Sequence, residues 1–264
     1  MPLFAANLSM LWQELDPYDR FAAASAAGFT YVEMLFPHEL DTDRLEGTLE
    51  RYDLTMVSFD PAPGNWAAGE RGLLTLPGRE MEFLHGVREA IKLAGKIGTT
   101  RLNTLVGIPP PGVTDDVARA TAVANLTMAA PLAANAGVTL LVEGINNIDI
   151  PGYWAGSVAS AVALVEAVDH PNVRLQLDQY HAGMAGEDAI ECLHSHLPIV
   201  AHVQIADVPG RHEPGTGSQP IEQFLDDLDR VGYEGYVGLE YRPLVDTPTS
   251  LRWLKAYRAQ RALR

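Results

Sequence analysis

The sequence is poor in cysteine and in basic residues. A single cysteine, Cys192, stands among 264 residues, so no disulfide can form within the chain, which fits a reducing compartment. Only 19 lysine and arginine residues face 34 aspartate and glutamate residues, which leaves a formal charge of -15. A surface this acidic repels nucleic acid phosphates. We therefore expect neither a disulfide-rich scaffold nor a DNA or RNA partner.

Long apolar runs and targeting signals are also lacking. The start of the chain, "MPLFAANLSMLWQELD", has no basic region followed by an apolar stretch, so it does not read as a signal peptide. No apolar run reaches the roughly 18 to 20 residues that a membrane-spanning helix requires. Yet 47% of the residues are hydrophobic, enough for a full core. This composition predicts a soluble, cytoplasmic protein with no membrane partner.

Short apolar segments of strand character alternate with longer segments of helical spacing along the whole chain. Eight candidate strands cover residues 3–8, 31–36, 54–59, 101–106, 138–143, 173–178, 200–206 and 236–241. Helical spacing is clear over residues 19–28, 79–98, 115–137 and 221–232. These segments end in glycines that are typical helix stops, namely Gly28, Gly98, Gly137 and Gly232.

Eight strand–helix units without a break in composition predict an α/β fold, a single (β/α)₈ TIM barrel over residues 1–264. A doubly wound open sheet is the alternative. Such a sheet usually carries a glycine-rich phosphate loop after its first strand, whereas "NLSMLWQELD" follows the first strand here. The later "GTGSQP" at 215–220 matches no nucleotide-binding pattern. The barrel is therefore the favoured interpretation.

One connection is unusually long for a βα loop. The segment "DPAPGNWAAGERGLLTLPGRE", at about 60–80, separates the third strand from the third helix. Loops of this length in compact domains are often functional. We expect this β3–α3 loop to fold over the mouth of the barrel.

Four consecutive late strands each end in a side chain that bears oxygen. The active sites of TIM barrels lie at the C-terminal ends of the strands, so these side chains should converge. Any one of them alone is as often solvated or salt-bridged, but as a set they would repel without a cation. Carboxylate and amide oxygens favour Mg²⁺ or Mn²⁺. The predicted metal ligands are Glu143, Asp178, Gln204 and Glu240.

Further polar residues follow the same strands. His181 lies three residues after the predicted ligand Asp178 and is a candidate for polarising a substrate oxygen, although a loop histidine bonded to backbone is the alternative. Arg211 and Arg242 are candidates for gripping a substrate carboxylate, and a solvated role is equally open for both. Asp149 lies in the loop after the fifth strand. These four residues are predicted to bind substrate.

Several motifs together resemble the hydroxypyruvate isomerase family, part of the xylose-isomerase-like group of TIM barrels. They are "FAANLSMLW", "GNWAAGERG", "LPGRE", "DIPGY", "AHVQIAD", "GRHEPGTG" and "GLEYRP". The resemblance runs from residue 3 to about 254, nearly the whole chain. The first two motifs place Asn7 and Trp66 among the residues expected to bind substrate.

The resemblance implies an aldose–ketose type isomerase that interconverts hydroxypyruvate and 2-hydroxy-3-oxopropanoate (tartronate semialdehyde). Its two catalytic glutamates would be Glu143 and Glu240. In related epimerases a divalent cation is held at the positions of the four predicted ligands, with histidine where Gln204 stands here. A related subgroup isomerises 2-oxo-tetronate, but the "GNWAAGERG" loop favours hydroxypyruvate. Relatives form dimers or tetramers, so a homo-oligomer is left open.

The chain departs from the family pattern directly after the first catalytic glutamate. The family usually reads Glu-Pro-Ile-Asn there, whereas this chain has Gly144 in place of the proline. Asn147 stands where histidine is frequent, and Arg242 stands where lysine is common. Loss of a rigid proline should loosen the loop that follows. None of these departures removes a catalytic carboxylate.

Other functions on the same scaffold remain open at this point. They include a 2-oxo-tetronate isomerase, a ketose 3-epimerase, an inosose-type dehydratase and a silent barrel that only binds a sugar acid. A silent barrel has no need of two opposed carboxylates. An endonuclease of the same superfamily uses a histidine-rich zinc cluster and a basic face. Eight scattered histidines and a charge of -15 disfavour that function.

Overall fold

Eight parallel strands close into a barrel in the computed structural model, which describes residues 2–262. The strands are β1 Leu3–Asn7, β2 Tyr31–Met34, β3 Thr55–Phe59, β4 Arg101–Asn103, β5 Thr139–Glu143, β6 Val173–Asp178, β7 Val200–Ile205 and β8 Tyr236–Leu239. Each strand pairs with the next in sequence, and β8 pairs with β1. The predicted TIM barrel and its eight strands are confirmed.

The strands form because apolar, partly β-branched runs can be buried on both faces of a parallel sheet. In β5, Leu140, Leu141 and Val142 are all fully buried, since one face packs on the helices and the other fills the barrel. The fourth strand is shorter than expected and ends at Asn103. The Thr104 backbone N–H still donates to Leu141 O of β5 at 2.9 Å, and Val106 then forms an isolated bridge to the long loop.

Helices surround the barrel between successive strands. They are α1 Pro17–Ala26, α2 Thr42–Tyr52, α3 Glu80–Ile97, α4 Asp115–Asn135, α5 Val158–Val168, α6 Gln179–Met184, α7 Ala189–His196, α8 Ile221–Arg230, α9 Thr247–Ser250 and α10 Arg252–Ala262. Three short 3₁₀ turns cover Pro37–Glu39, Trp66–Ala68 and Leu197–Ile199. Within residues 2–262, none of the helices combines the length and the apolar character that crossing a membrane demands.

Strand register sets which side chains stand at the same level at the C-terminal end of the barrel. Polar residues of neighbouring strands are paired directly in this register: Asn7 with Glu33, Glu143 with Gln176, and Asp178 with Gln204. All six side chains are buried. The barrel therefore ends in a polar layer at the C-terminal ends of its strands.

The long connection after β3 runs over residues 60–79 and ends where α3 begins. It contains the 3₁₀ turn Trp66–Ala68 and is attached to the segment after β4 by an antiparallel bridge between Gly72 and Val106. A Cβ at Gly72 would lie 2.1 Å from the Leu105 carbonyl oxygen, so this close contact requires glycine. The attachment holds the loop beside the C-terminal end of the barrel.

Candidate functional site

A cavity of about 980 Å³ opens at the C-terminal end of the barrel. Seven of the predicted site residues line it: Trp66, Glu143, Asp149, His181, Arg211, Glu240 and Arg242. Asp178 and Gln204 are buried at the same strand level, beside Glu143 and Glu240. The strand ends thus bring most of the predicted residues together in one place.

Glu143, Asp178 and His181 form a compact buried cluster. One ligand atom from each side chain lies within 4.8 Å of the other two. His181 Nε2 is 4.0 Å from Glu143 Oε1 and 3.7 Å from Asp178 Oδ2. Asp178 Oδ1 caps α6 by accepting from the Tyr180 backbone N–H at 2.7 Å, whereas Asp178 Oδ2 has no hydrogen-bond partner among the described residues. A cluster of this kind could hold a metal ion.

The hydrogen bonds around His181 determine which ring nitrogen carries its proton. Its Nδ1 lies 2.6 Å from the Asn146 side-chain amide nitrogen and also accepts from the Asn146 backbone N–H. The Asn146 Oδ1 accepts from the backbone N–H groups of Ile148 and Asp149, which fixes that amide with its nitrogen toward the ring. Nδ1 is therefore an acceptor, and the proton of the neutral imidazole is on Nε2.

Burial also keeps the His181 ring neutral. Loss of solvation, assisted by the nearby Arg211 guanidinium, lowers the pKa of His181 well below its usual range. The ring therefore presents an N–H donor toward Glu143 and Asp178 at neutral pH. This arrangement suits donation to an oxygen atom better than direct coordination of a metal.

Two amides hold Glu143 in a fixed orientation. Asn103 Nδ2 donates to Glu143 Oε2 at 2.8 Å, and Gln176 Nε2 donates to the same oxygen at 3.0 Å. The other oxygen, Oε1, is left facing His181. Burial, then the carboxyls of Glu240 and Asp178, raise the pKa of Glu143 well above its usual range.

The Gln204 side chain is engaged at both ends. Its nitrogen donates to Glu33 Oε1 at 2.8 Å, and its oxygen accepts from Gln176 Nε2 at 2.6 Å. Glu33 also contacts His202 Nε2 at 2.7 Å. A Cβ at Gly238 would lie 2.3 Å from the Glu33 carboxylate, so glycine leaves room for it. The orientation of Gln204 is thus fixed from beneath the cavity, with its oxygen toward Gln176.

Arg211 pairs with Glu240 on the opposite side of the site. Arg211 Nη2 is 2.7 Å from Glu240 Oε2 and 3.7 Å from Asp178 Oδ2. Burial raises the pKa of Glu240 to about 8, although Arg211 opposes that shift. Arg211 has a backbone φ of 55°, in the left-handed region that a non-glycine residue rarely adopts. The backbone of the loop is therefore held in an uncommon conformation at Arg211, whose guanidinium contacts the two carboxylates.

The remaining predicted residues have defined surroundings. Asn7 donates to Glu33 Oε1 at 2.9 Å and accepts from the Ser9 backbone N–H, so its side chain is committed to the protein. Asp149 Oδ2 accepts from the Tyr180 hydroxyl at 2.8 Å. Trp66 is 39% exposed at the cavity wall. The substrate-binding roles of these residues stay predictions.

Sequence reasoning missed four buried polar residues around the site: Glu33, Asp60, Asn103 and Gln176. Asp60 follows β3 directly. The rule that active-site residues follow the C-terminal ends of barrel strands would have found it, if applied to the early strands as well as the late ones. Asn103 also ends its strand, whereas Glu33 stands inside the apolar "YVEMLF" and Gln176 lies between two leucines in "VRLQLD". A polar residue at such a position is informative because it must find a buried partner.

The raised carboxyl pKa values predict a pH dependence of stability. A buried carboxyl with a raised pKa holds its proton longer in the folded state, so its stabilising effect is complete below its unfolded pKa and is lost as pH rises through the folded value. For Glu240 this window ends at about pH 8. Thermal unfolding in chelator should therefore show Glu240→Gln gaining stability relative to wild type between about pH 5 and about pH 8.5. A difference that stays constant over this range would contradict the assignment.

The fold and the site together define the class of protein. It is a closed (β/α)₈ barrel with buried carboxylates at the C-terminal ends of its strands. The chain belongs to the xylose isomerase-like TIM barrel family, whose profile matches residues 21–257. It is 43% identical to the 2-oxo-tetronate isomerase of Cupriavidus necator, over 97% of this chain and 99% of that protein. It is 38% identical to the hydroxypyruvate isomerase of Escherichia coli (strain K12), with the same two coverages. The predicted family and isomerase class are confirmed.

A solved structure agrees over the full barrel. The crystal structure described as AP endonuclease, family 2, from Brucella melitensis is 40% identical and superposes with a TM-score of 0.94, covering 97% of this chain and 99% of that one. The formal charge of -15 in the present chain still disfavours nucleic acid as its own substrate.

Proposed function

We propose that this chain isomerises a short hydroxy-2-oxo acid by exchanging a carbonyl with the hydroxyl on the adjacent carbon. Hydroxypyruvate, which would give 2-hydroxy-3-oxopropanoate, is the first candidate substrate. One observation carries the proposal. Two buried carboxyl groups, Glu143 and Glu240, face one cavity, and the Glu240 carboxyl raises the pKa of Glu143 after the larger effect of burial. Two such groups suit removal and return of a carbon-bound proton.

The reaction passes through an enediolate whose negative charge must be stabilised. One glutamate removes the proton from the carbon that bears the hydroxyl, and the other returns a proton to the neighbouring carbon. Asn103 and Gln176 hold Glu143 by one oxygen, so the other oxygen can face the substrate. His181 supplies the Nε2–H donor to a substrate oxygen as charge develops there.

The site also fits a divalent cation. Asp178 Oδ2 is buried and has no hydrogen-bond partner in the described part of the chain. A carboxylate oxygen of Glu143 lies within 4.8 Å of an oxygen of Asp178, near enough for both to bind one ion. Oxygen donors suit Mg²⁺ or Mn²⁺, with Gln204 and Glu240 as the other predicted ligands. When bound, such an ion would polarise the substrate oxygens as a Lewis acid.

Arginine side chains are suited to orient the substrate carboxylate. Arg211 and Arg242 both line the cavity, and a guanidinium can hold a carboxylate by two parallel hydrogen bonds. Arg211 is the stronger candidate because its side chain is only 17% exposed and already lies 2.7 Å from the Glu240 carboxylate. A substrate carboxylate at Arg211 would bind beside Glu240, one of the two proposed proton-transfer groups.

A second candidate substrate is 2-oxo-tetronate. The 43% identity to a protein of that name supports it, and the cavity of about 980 Å³ is large enough for more than three carbons. A ketose epimerase is a further outcome of the same test, since the same enediolate gives an epimer when the proton returns to the opposite face of the carbon that lost it.

Turnover of a substrate panel tests the proposal directly. Purified protein with added Mg²⁺ or Mn²⁺ would be incubated with hydroxypyruvate, 2-oxo-tetronate and free ketoses, and the products identified by NMR. We expect isomerisation of at least one oxo acid and slower conversion of the ketoses, which lack the carboxylate. Conversion of ketoses alone, or of no compound in the panel, would overturn the proposed function.

A further inference from the structure

Asp60 is a buried carboxyl group that the proton-transfer scheme does not use. It follows β3 directly, is 3% exposed and lines the same cavity as Glu143 and Glu240. Its Oδ2 has no hydrogen-bond partner among residues 2–262. A buried polar atom that faces a cavity without a protein partner is a candidate for a ligand contact, since leaving it unpaired is unfavourable.

The position of Asp60 in the barrel places it opposite the predicted carboxylate site. In the closed order of eight strands, β3 and β7 are four strands apart in either direction. Arg211 follows β7, and Asp60 follows β3. A substrate whose carboxylate binds Arg211 therefore extends its other end toward Asp60.

The surroundings of Asp60 favour a hydroxyl group over a charged one. The carboxyls of Glu240 and Glu33 are near enough to raise the pKa of Asp60, after the larger effect of burial. This negative neighbourhood excludes a second substrate carboxylate. Leu35, Trp66 and Leu105 line the cavity from the loops after β2, β3 and β4, on the same side of the barrel. Arg71 also lines the cavity, but its guanidinium stacks 4.0 Å from the centre of the Trp66 ring and donates to two carbonyl oxygens of its own loop. A mainly apolar wall beside the Asp60 carboxyl fits a carbon chain that ends in a hydroxyl.

We propose that Asp60 is a specificity-determining residue that binds the hydroxyl group at the end of the substrate remote from its carboxylate. This inference rests on the proposed isomerase function and refines its substrate class. In hydroxypyruvate the only hydroxyl takes part in the reaction, whereas a four-carbon 2-oxo acid carries a further hydroxyl on C4. Asp60 would bind that hydroxyl and raise kcat/KM for a four-carbon acid above the value of a site without this contact.

Asp60 has one connection to the catalytic groups that the test must separate. The Asn103 side chain donates to Glu143 Oε2, and its amide also lies near enough to Asp60 to lower the pKa of that carboxyl. Asp60 could therefore act only by positioning Glu143 through Asn103. A positioning effect would lower kcat for every substrate, whereas a contact to the C4 hydroxyl would affect only the substrate that has one.

The experiment compares kcat/KM for hydroxypyruvate and 2-oxo-tetronate in wild type, Asp60→Leu, Asp60→Ala and Asp60→Asn. We expect Asp60→Leu and Asp60→Ala to lose about tenfold on the four-carbon acid, as for one lost hydrogen bond, and to change less than about threefold on hydroxypyruvate. Asp60→Asn should retain most of the preference, because its amide oxygen still accepts from a hydroxyl. Asp227→Asn, at a buried carboxyl on α8 outside the cavity lining, is the matched control and should leave the ratio unchanged.

The outcomes separate the two proposals. An unchanged ratio in both Asp60→Leu and Asp60→Ala, or an equal loss on both substrates, would overturn the role of Asp60 while the isomerase function stands. Wild-type protein that converts neither acid would overturn the proposed function, and the role of Asp60 with it.

Discussion

Replacing Glu240 with glutamine should lower kcat by roughly 10²–10⁴-fold, the usual range for loss of a general acid or base, while the barrel stays folded. Glutamine keeps the shape and can still contact Arg211, but it can neither remove nor deliver a proton. Burial raises the pKa of Glu240 to about 8, close to neutral pH, where a proton-transfer group is most effective. Steady-state kinetics on the preferred oxo acid, with circular dichroism of the same sample, would measure the effect.

A matched control separates this effect from a general change of charge. Glu222 is exposed in the first turn of α8 and lies outside the cavity lining, so Glu222→Gln should retain wild-type kcat. If Glu240→Gln turned over at nearly the wild-type rate, Glu240 would not be a proton-transfer residue. The proposed chemistry would then be wrong, since Glu143 would have no partner.

Removal of the Asp178 carboxylate should weaken binding of Mn²⁺ by at least about 100-fold, more than is typical for a group behind the ligands. Asp178 Oδ2 accepts from no protein N–H group within hydrogen-bond distance in the described structure. The Arg211 guanidinium and the His181 ring are each 3.7 Å away, so the oxygen can still bind an ion. Asp178→Asn keeps an oxygen but loses the negative charge. Titration of chelated protein with Mn²⁺, followed by electron paramagnetic resonance of the free ion, measures affinity without relying on activity.

The control for the metal titration is another N-capping aspartate. Asp188 caps α7 by accepting from the Ile190 backbone N–H at 2.8 Å, as Asp178 caps α6, and it lies outside the cavity lining. Asp188→Asn should leave Mn²⁺ affinity unchanged. Weak Mn²⁺ binding by wild-type protein, together with full activity after chelation, would contradict the metal site. The two glutamates would then catalyse the reaction by acid–base chemistry alone.

Much of this fold could be predicted because a parallel strand that is buried on both faces has a short, continuous apolar sequence. The strand-end rule then located Glu143, Asp178 and Glu240, because each side chain follows its run directly. The contacts beneath them could not be predicted. Glu33 and His202 are 169 residues apart in sequence, and only closure of the barrel brings them together.

The structural role of Gly144 could not be predicted from the sequence. From sequence it is a lost proline, and the looser loop expected from that loss stays a prediction. In the structure a Cβ at this position would lie 2.3 Å from the Ser157 carbonyl oxygen. The end of β5 therefore packs directly against the start of α5, and glycine permits that contact. The loop beyond it is bonded through Asn146 Oδ1 to two backbone N–H groups.

The most direct test of proton transfer between two glutamates is solvent exchange. Wild-type enzyme would convert its preferred oxo acid in D₂O, and proton NMR would follow the carbon that gains hydrogen. In a two-glutamate mechanism the proton removed and the proton returned belong to different carboxyl groups. We therefore predict nearly complete deuterium incorporation at that carbon. Product that retains the substrate hydrogen and carries no solvent deuterium would indicate direct hydride transfer and contradict the proposed roles of Glu143 and Glu240.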